Sequence, residues 1–261
     1  MTASASPPPD QGIDERDATP GTLAEPQVRA MFDRISGVYD RMNGVMTAGL
    51  HHQWRRRAAD LALLTPGAQV LDVATGTGDL AFELARRVAP DGVVVGADFS
   101  EGMLELARAK AQAKTAAPAT PALGVQLRFE AANAMALPYG DNRFDAATVG
   151  FGARNFSDLP GGLAEMARVV RPGGRVVVLE ITTPTRPPLS TLLELWFDRL
   201  VPALGKLAGD AEAYSYLPSS VRRFPPPHEL AAVMWGCGLR SIRYRLTAGG
   251  IIALHVGEVP V

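Results

Sequence analysis

Residues 70–80 read Val-Leu-Asp-Val-Ala-Thr-Gly-Thr-Gly-Asp-Leu, and this stretch decides the fold. A short apolar run, buried-strand-like, ends in a turn holding Gly76 and Gly78. A helical pattern starts at Asp79. The two glycines permit backbone conformations that other residues resist, and they let a ligand lie against the main chain. Gly76, Gly78 and Ala81 also satisfy G-x-G-x-x-A, the dinucleotide fingerprint, which is weak on its own.

Outward from this turn the same rhythm repeats. Strands are expected at 69–74, 93–98, 125–131, 144–151 and 175–181, with helices at 79–88, 103–114 and 163–170. Short apolar runs without alternation, separated by helices, indicate a parallel sheet covered on both faces. Residues 241–246 and 251–256 flank Thr247-Ala-Gly-Gly250 and read as a hairpin. The expected architecture is α/β: a mostly parallel seven-stranded sheet closed by an antiparallel pair. Upstream, residues 28–64 carry a helical pattern broken by Gly37, Gly44 and Gly49, which predicts two or three short helices. Residues 111–124 hold Pro118 and Pro121 and read as a surface insertion without function. Residues 182–227 suspend the rhythm. Leu192, Leu193, Leu195, Trp196, Leu200 and Val201 form one apolar helical face there, which is either a lid over a site or a helix packed on the sheet.

Composition narrows the function classes. Of the 261 residues, 47% are hydrophobic and 20% charged, as in ordinary globular domains. The longest stretch free of Lys, Arg, Asp and Glu is 13 residues, too short for a membrane span of roughly 18 or more. The single cysteine, Cys237, excludes an internal disulfide framework and a cysteine-based zinc site. No basic region followed by an apolar run marks a secretory signal, so a cytoplasmic protein is expected. The four histidines, His51, His52, His228 and His255, match no metal-ligand spacing; no metal is expected, and none of the four is singled out for catalysis. Residues 1–25, with a triple proline, read as a disordered acidic tail, leaving residues 26–261 as the domain. Five acids and one base give that tail −4, so the body carries +3 of the net −1. That balance gives no support to a nucleic-acid partner.

Two acids discriminate between ligands. Asp98 lies 22 residues after Gly76 at the end of the second strand. A carboxylate there accepts hydrogen bonds from both ribose hydroxyls of a nucleoside, which fits NAD or S-adenosylmethionine. Asp79 opens the following helix, where a pyrophosphate would sit and a carboxylate would repel it. S-adenosylmethionine has no phosphate, and its ammonium and sulfonium are favoured by Asp72 and Asp79. A nicotinamide-dependent oxidoreductase is therefore the weaker alternative. Gly76, Asp98, Asn133 and Gly150 all fall at strand carboxyl ends, where open parallel sheets bind ligands; the Asn133 side chain and the Ala134 amide suit an adenine edge.

Asp72-Val-Ala-Thr-Gly-Thr-Gly-Asp79 with Gly96-Ala-Asp98 resembles motif I and the acidic loop of class I, Rossmann-like methyltransferases. Phe32-Asp-Arg-Ile-Ser-Gly-Val-Tyr-Asp-Arg-Met-Asn43, Ala132-Asn-Ala-Met-Ala-Leu-Pro138, Gly150-Phe-Gly-Ala-Arg-Asn155, Arg171-Pro-Gly-Gly-Arg-Val-Val-Val-Leu-Glu180 and Gly209-Asp-Ala-Glu-Ala-Tyr-Ser-Tyr-Leu217 together resemble the menaquinone/ubiquinone C-methyltransferase family. The resemblance runs from about residue 32 to 257. It implies S-adenosylmethionine as methyl donor and the ring carbon of a polyprenylated quinol as acceptor, with demethylmenaquinol to menaquinol as the expected reaction and a benzoquinol acceptor as the alternative. The family's cofactor-contacting positions fall here on Thr77, Asp98, Asn133, Ala134 and Gly150. Many relatives carry serine at the last of these, so only a backbone contact is expected from Gly150.

Carbon methylation needs an ionised ring hydroxyl, a dry site and an in-line approach. Arg154 is the expected oxyanion stabiliser; Asn155 and Tyr39 are expected to hold the hydroxyl or a proton-accepting water. A prenylated acceptor comes from a bilayer, so peripheral contact with an anionic membrane is expected. Residues 189–207 and the bases Arg55, Arg56, Arg57, Arg222 and Arg223 are its candidate surface.

Overall fold

The computed structural model describes residues 25–47, 49–116, 124–184, 187–196, 199, 201 and 211–261. Most of the acidic tail and residues 117–123 of the expected insertion lie outside the described residues. Seven strands form one sheet: β1 (Gln69–Val73), β2 (Val93–Asp98), β3 (Gln126–Ala131), β4 (Phe144–Gly150), β5 (Val170–Ile181), β6 (Arg240–Thr247) and β7 (Ile252–Glu258). Their order is β3-β2-β1-β4-β5-β7-β6. The pairs from β3 through β5 are parallel, while β7 is antiparallel to both β5 and β6. The terminal hairpin is thus present, with its second strand inserted between the first and β5.

The strands lack polar alternation because both faces are covered. On one face Val70, Ala146, Val177 and Leu179 pack with Leu80, Ala81 and Leu84 of α3 (Asp79–Val88) and with Leu104 and Ala107 of α4 (Glu101–Ala116). On the other, Leu71, Val73, Ala147 and Val178 pack with Leu163 and Met166 of α5 (Leu159–Val169). The strand order reverses between β1 and β4, and the crevice at their carboxyl ends is where such sheets take ligands.

The N-terminal region holds two helices, within the number expected and parted at Gly49, but Gly37 and Gly44 do not break the first. A single 23-residue helix, α1 (Glu25–Thr47), runs through Gly37 and Gly44, and α2 (His51–Leu61) follows. Each internal glycine costs about 1 kcal/mol relative to alanine. Tertiary anchoring offsets this: Asp33 accepts from the Ser100 hydroxyl and the Gly102 amide, and Asp40 accepts from Thr77 and pairs with Lys110. Glu25, assigned by composition to the tail, is the first residue of α1 and is hydrogen-bonded to Asn133 and Ser157. Val28 and Met31 of α1 also pack with Leu193 of α6 (Leu189–Leu195) and with Tyr216 and Val221 of α7 (Ala211–Arg223). Helices of the 182–227 insertion and the N-terminal helix thus share an apolar cluster, against which Ile181 at the end of β5 also packs.

Candidate active site

The strand ends frame a cleft of about 850 Å³, including its open mouth, lined by Asp72, Gly76, Thr77, Asp98, Asn133, Ala134 and Gly150, among others. Seven of the eight residues expected at the cofactor therefore meet in one place. The exception is Gly78, which does not line the cleft. It caps α3 with φ 84°, and a Cβ there would come within 2.8 Å of the Phe129 ring. Gly78 shapes the turn. At Gly150 an added Cβ would sit 3.1 Å from Leu80 Cδ2, a tight contact that the Leu80 side chain would have to relieve.

Asp98 is buried at the tip of β2. Its Oδ2 accepts from the Gly76 amide at 2.7 Å and its Oδ1 from the Ser100 amide at 3.0 Å. These bonds aim the carboxylate. Burial still raises its pKa above the usual range, against those amides. Asp72 is almost wholly buried, and its two oxygens accept from the hydroxyls of Thr75 and Thr148 at 2.6 and 2.7 Å. Burial pushes its carboxyl up to about 6, opposed by those hydroxyls and by Arg55.

Other site residues sit differently from the sequence-based picture. Asn133 donates to Glu25 and accepts from the Met135 amide, so both ends of its amide are engaged inside the protein. Asp79 is not the helix cap, a place taken by Gly78. It lies 3.5 Å from Arg55 and 2.9 Å from Lys110. Burial raises the Asp79 pKa, but the two cations outweigh it and hold the carboxyl below the ordinary range. Its charge is largely compensated, which weakens the repulsion argument against a pyrophosphate. Arg55, read as part of a surface basic cluster, is buried with its guanidinium 5.6 Å over the Phe151 ring. Arg56, Arg57, Arg222 and Arg223 are exposed.

A second, mainly apolar cavity of about 1,300 Å³, including its open mouth, adjoins the cleft and shares Arg55 and Phe151 with it. His51 and Trp54 of α2, Leu189, Leu192, Leu193 and Trp196 of the α6 segment, and Leu217 of α7 line it. Arg154 also lines this cavity, with its side chain 7% exposed and bound to Glu180 at 2.8 Å. Arg154, expected as the oxyanion stabiliser, is thus held in a buried ion pair. Asn155 lines the first cleft, and its Oδ1 accepts from the Tyr216 hydroxyl at 3.1 Å. Tyr39 lies on α1, and its side chain lies outside the described residues. His51 and Arg55 were not singled out by motif spacing. Helical phase was the available indication: 51, 54, 55 and 58 share one face of α2.

Comparison with known proteins decides the family. The profile of the ubiE/COQ5 methyltransferase family matches residues 21–259. The chain belongs to the ubiE/COQ5 methyltransferase family. It is 46% identical to a demethylmenaquinone methyltransferase of Thermus thermophilus over 88% of this chain and 100% of that one. It is 44% identical to a demethylmenaquinone methyltransferase of Deinococcus radiodurans, over 99% of each. A ubiquinone/menaquinone biosynthesis C-methyltransferase of Geobacter sulfurreducens is 40% identical over 89% of this chain and 88% of its own. Among solved structures, the cyclase SpnF covers 92% of this chain and 98% of its own at TM-score 0.66 and 17% identity. A SAM-dependent methyltransferase of Thermotoga maritima covers 88% and 98% at TM-score 0.58 and 18% identity. These two likenesses speak to the fold. Membership in the family makes the chain a methyltransferase that uses S-adenosylmethionine, which sets aside the nicotinamide alternative.

Proposed function

We propose that this enzyme methylates a ring carbon of demethylmenaquinol, giving menaquinol, with S-adenosylmethionine held in the first cleft and the acceptor in the second cavity. The observation that carries the proposal is the shared wall of Arg55 and Phe151 between a polar cleft and an apolar cavity. The names of the relatives support the naphthoquinol. The cleft's residues fit the donor: Asp98 for the ribose hydroxyls, the Gly76 main chain for close approach, and Asp72 as a buried carboxylate suited to a cation. When bound, S-adenosylmethionine supplies an electrophilic methyl group on a sulfonium. The protein's part is to hold the ring against that methyl, keep water out with the apolar lining, and take up the hydroxyl proton. The experiment is incubation with demethylmenaquinol and with a polyprenyl benzoquinol, with products identified by mass.

Asp72 imposes a pH dependence. A bound cation favours the ionised carboxyl and lowers its pKa from about 6. Affinity for S-adenosylmethionine is therefore expected to fall as pH drops through about 6, by at most about tenfold per pH unit. S-adenosylhomocysteine, lacking the sulfonium charge, falls less; calorimetric titration of both ligands checks this. The sign for stability is opposite. The folded pKa lies above the unfolded one, so this group's stabilising contribution is full at low pH and is lost as pH rises through about 6.

The second cavity opens at Leu50, Leu189 and Leu192, which line it yet are 48%, 36% and 58% exposed. Leu195 follows one turn later on α6 and is also exposed. Among the described residues no helix is long and apolar enough to cross a membrane. These leucines suit shallow insertion beside the isoprenoid entrance. Leu195→Ser, outside the cavity lining, is expected to slow methylation of a vesicle-embedded acceptor several-fold and to leave a detergent-dissolved, short-tailed acceptor unaffected.

A further inference from the structure

We propose that His51 and Arg55 act together on the acceptor's ring hydroxyl, His51 as the proton acceptor and Arg55 as the partner of the resulting oxyanion. The inference rests on the acceptor occupying the second cavity. The two residues stand four apart on α2 and both line that cavity. Arg55 also lines the donor cleft, so the pair stands at the junction where ring carbon and methyl group must meet.

The proposed role takes one arrangement of the hydrogens around His51. Thr47 Oγ1 donates its one proton to the Asn43 carbonyl at 2.7 Å. The same oxygen lies 2.6 Å from His51 Nδ1, and with its proton committed it can only accept. Nδ1 therefore carries the ring's hydrogen, and Nε2 is left with a free lone pair. The groups facing the ring are Arg55 and His52 of its own helix, Asp79 of α3 and Asp40 of α1. Burial first, and then Arg55, lowers the His51 pKa to about 4, so the ring is neutral throughout the physiological range.

Arg55 supplies the complementary charge. Its guanidinium is buried, and its Nη1 has no hydrogen-bond partner among the described residues, with the Asp79 carboxylate 3.5 Å away. A buried N–H without a partner carries a desolvation cost, which an oxyanion at the cavity junction would relieve. Arg154, the arginine expected to do this from the sequence, is instead engaged by Glu180.

The step balances as follows. The hydroxyl proton passes to His51 Nε2, and the electron pair moves into the ring. The ring carbon forms the new carbon–carbon bond to the methyl group. The methyl–sulfur bond breaks, its pair staying on sulfur. The methylated carbon then loses its own hydrogen as a proton to water, and the oxygen regains a proton from His51. One proton is released per methyl transferred.

His51→Asn keeps a donor towards Thr47 and removes Nε2. The expected result is a kcat lower by roughly 100-fold, with S-adenosylhomocysteine affinity within about twofold of wild type. Nitrogen-15 spectra of the wild-type enzyme should show His51 protonated at Nδ1 and otherwise neutral down to about pH 5. In Arg55→Gln the same resonance should titrate at higher pH, because the neighbouring cation is gone, and kcat should fall. An Nε2–H tautomer, or a His51→Asn enzyme with kcat within about threefold of wild type, would overturn the pair's role alone. A wild-type enzyme that methylates no quinol would overturn the substrate assignment and the pair's role with it.

Discussion

Asp98→Ala is expected to weaken binding of S-adenosylhomocysteine by at least about 100-fold. A hydrogen bond to a charged group is worth about 1.5–3 kcal/mol, and a carboxylate at this strand end serves two ribose hydroxyls. The substitution also frees the Gly76 and Ser100 amides that now hold the carboxylate, so the glycine turn loses an anchor as well. Asp98→Asn retains one acceptor oxygen and is expected to fall between the two. Isothermal titration reads both. An alanine variant binding within about threefold of wild type would remove the nucleoside from this end of the cleft.

The second large effect is on stability. Glu180→Ala leaves the Arg154 guanidinium buried without its carboxylate, since the two side chains are 7% and 1% exposed and 2.8 Å apart. Breaking a buried pair by removing one partner costs about 3–5 kcal/mol. For a domain of this size that lowers the melting temperature by roughly 6–20 °C. Arg154→Met together with Glu180→Leu removes both charges and is expected to recover much of the loss, because apolar replacements of buried pairs are often neutral. Thermal unfolding followed by circular dichroism measures all three proteins. Equal melting temperatures for the single and double variants would mean the pair is not a unit. Residual methyl transfer in a well-folded double variant would show that Arg154 serves the frame of the cavity.

The parts of the fold that were legible are those whose residues report burial directly. β1, β2 and β4 read as strands because both sheet faces bury side chains: Val70 faces one cluster, while Leu71 and Val73 face the other. The cleft was legible because its residues lie at strand ends, and chain order alone puts those ends together. What was not legible depends on partners distant in sequence. Gly37 and Gly44 argued for breaks in α1, whereas Asp33 and Asp40 anchor that helix to α4 and to the glycine turn. Glu25 adjoins a tail-like composition, and only the fold brings it to Asn133. Arg55, Arg56 and Arg57 look alike as three consecutive bases. Helical phase turns the first inward beside Trp54 and Ala58 and leaves the others at the surface. The second cavity was the least legible feature. Its wall is built by α2 together with α6 and α7, segments whose meeting no local pattern specifies.

The most direct test is product analysis with the purified full chain, S-adenosylmethionine and demethylmenaquinol in anionic vesicles. The predicted result is one methyl group added to the ring carbon, with one S-adenosylhomocysteine formed per product, and a clearly slower reaction with the benzoquinol. Methylation on oxygen, or no methylated quinol at all while S-adenosylhomocysteine still binds, would contradict the assignment of the second cavity.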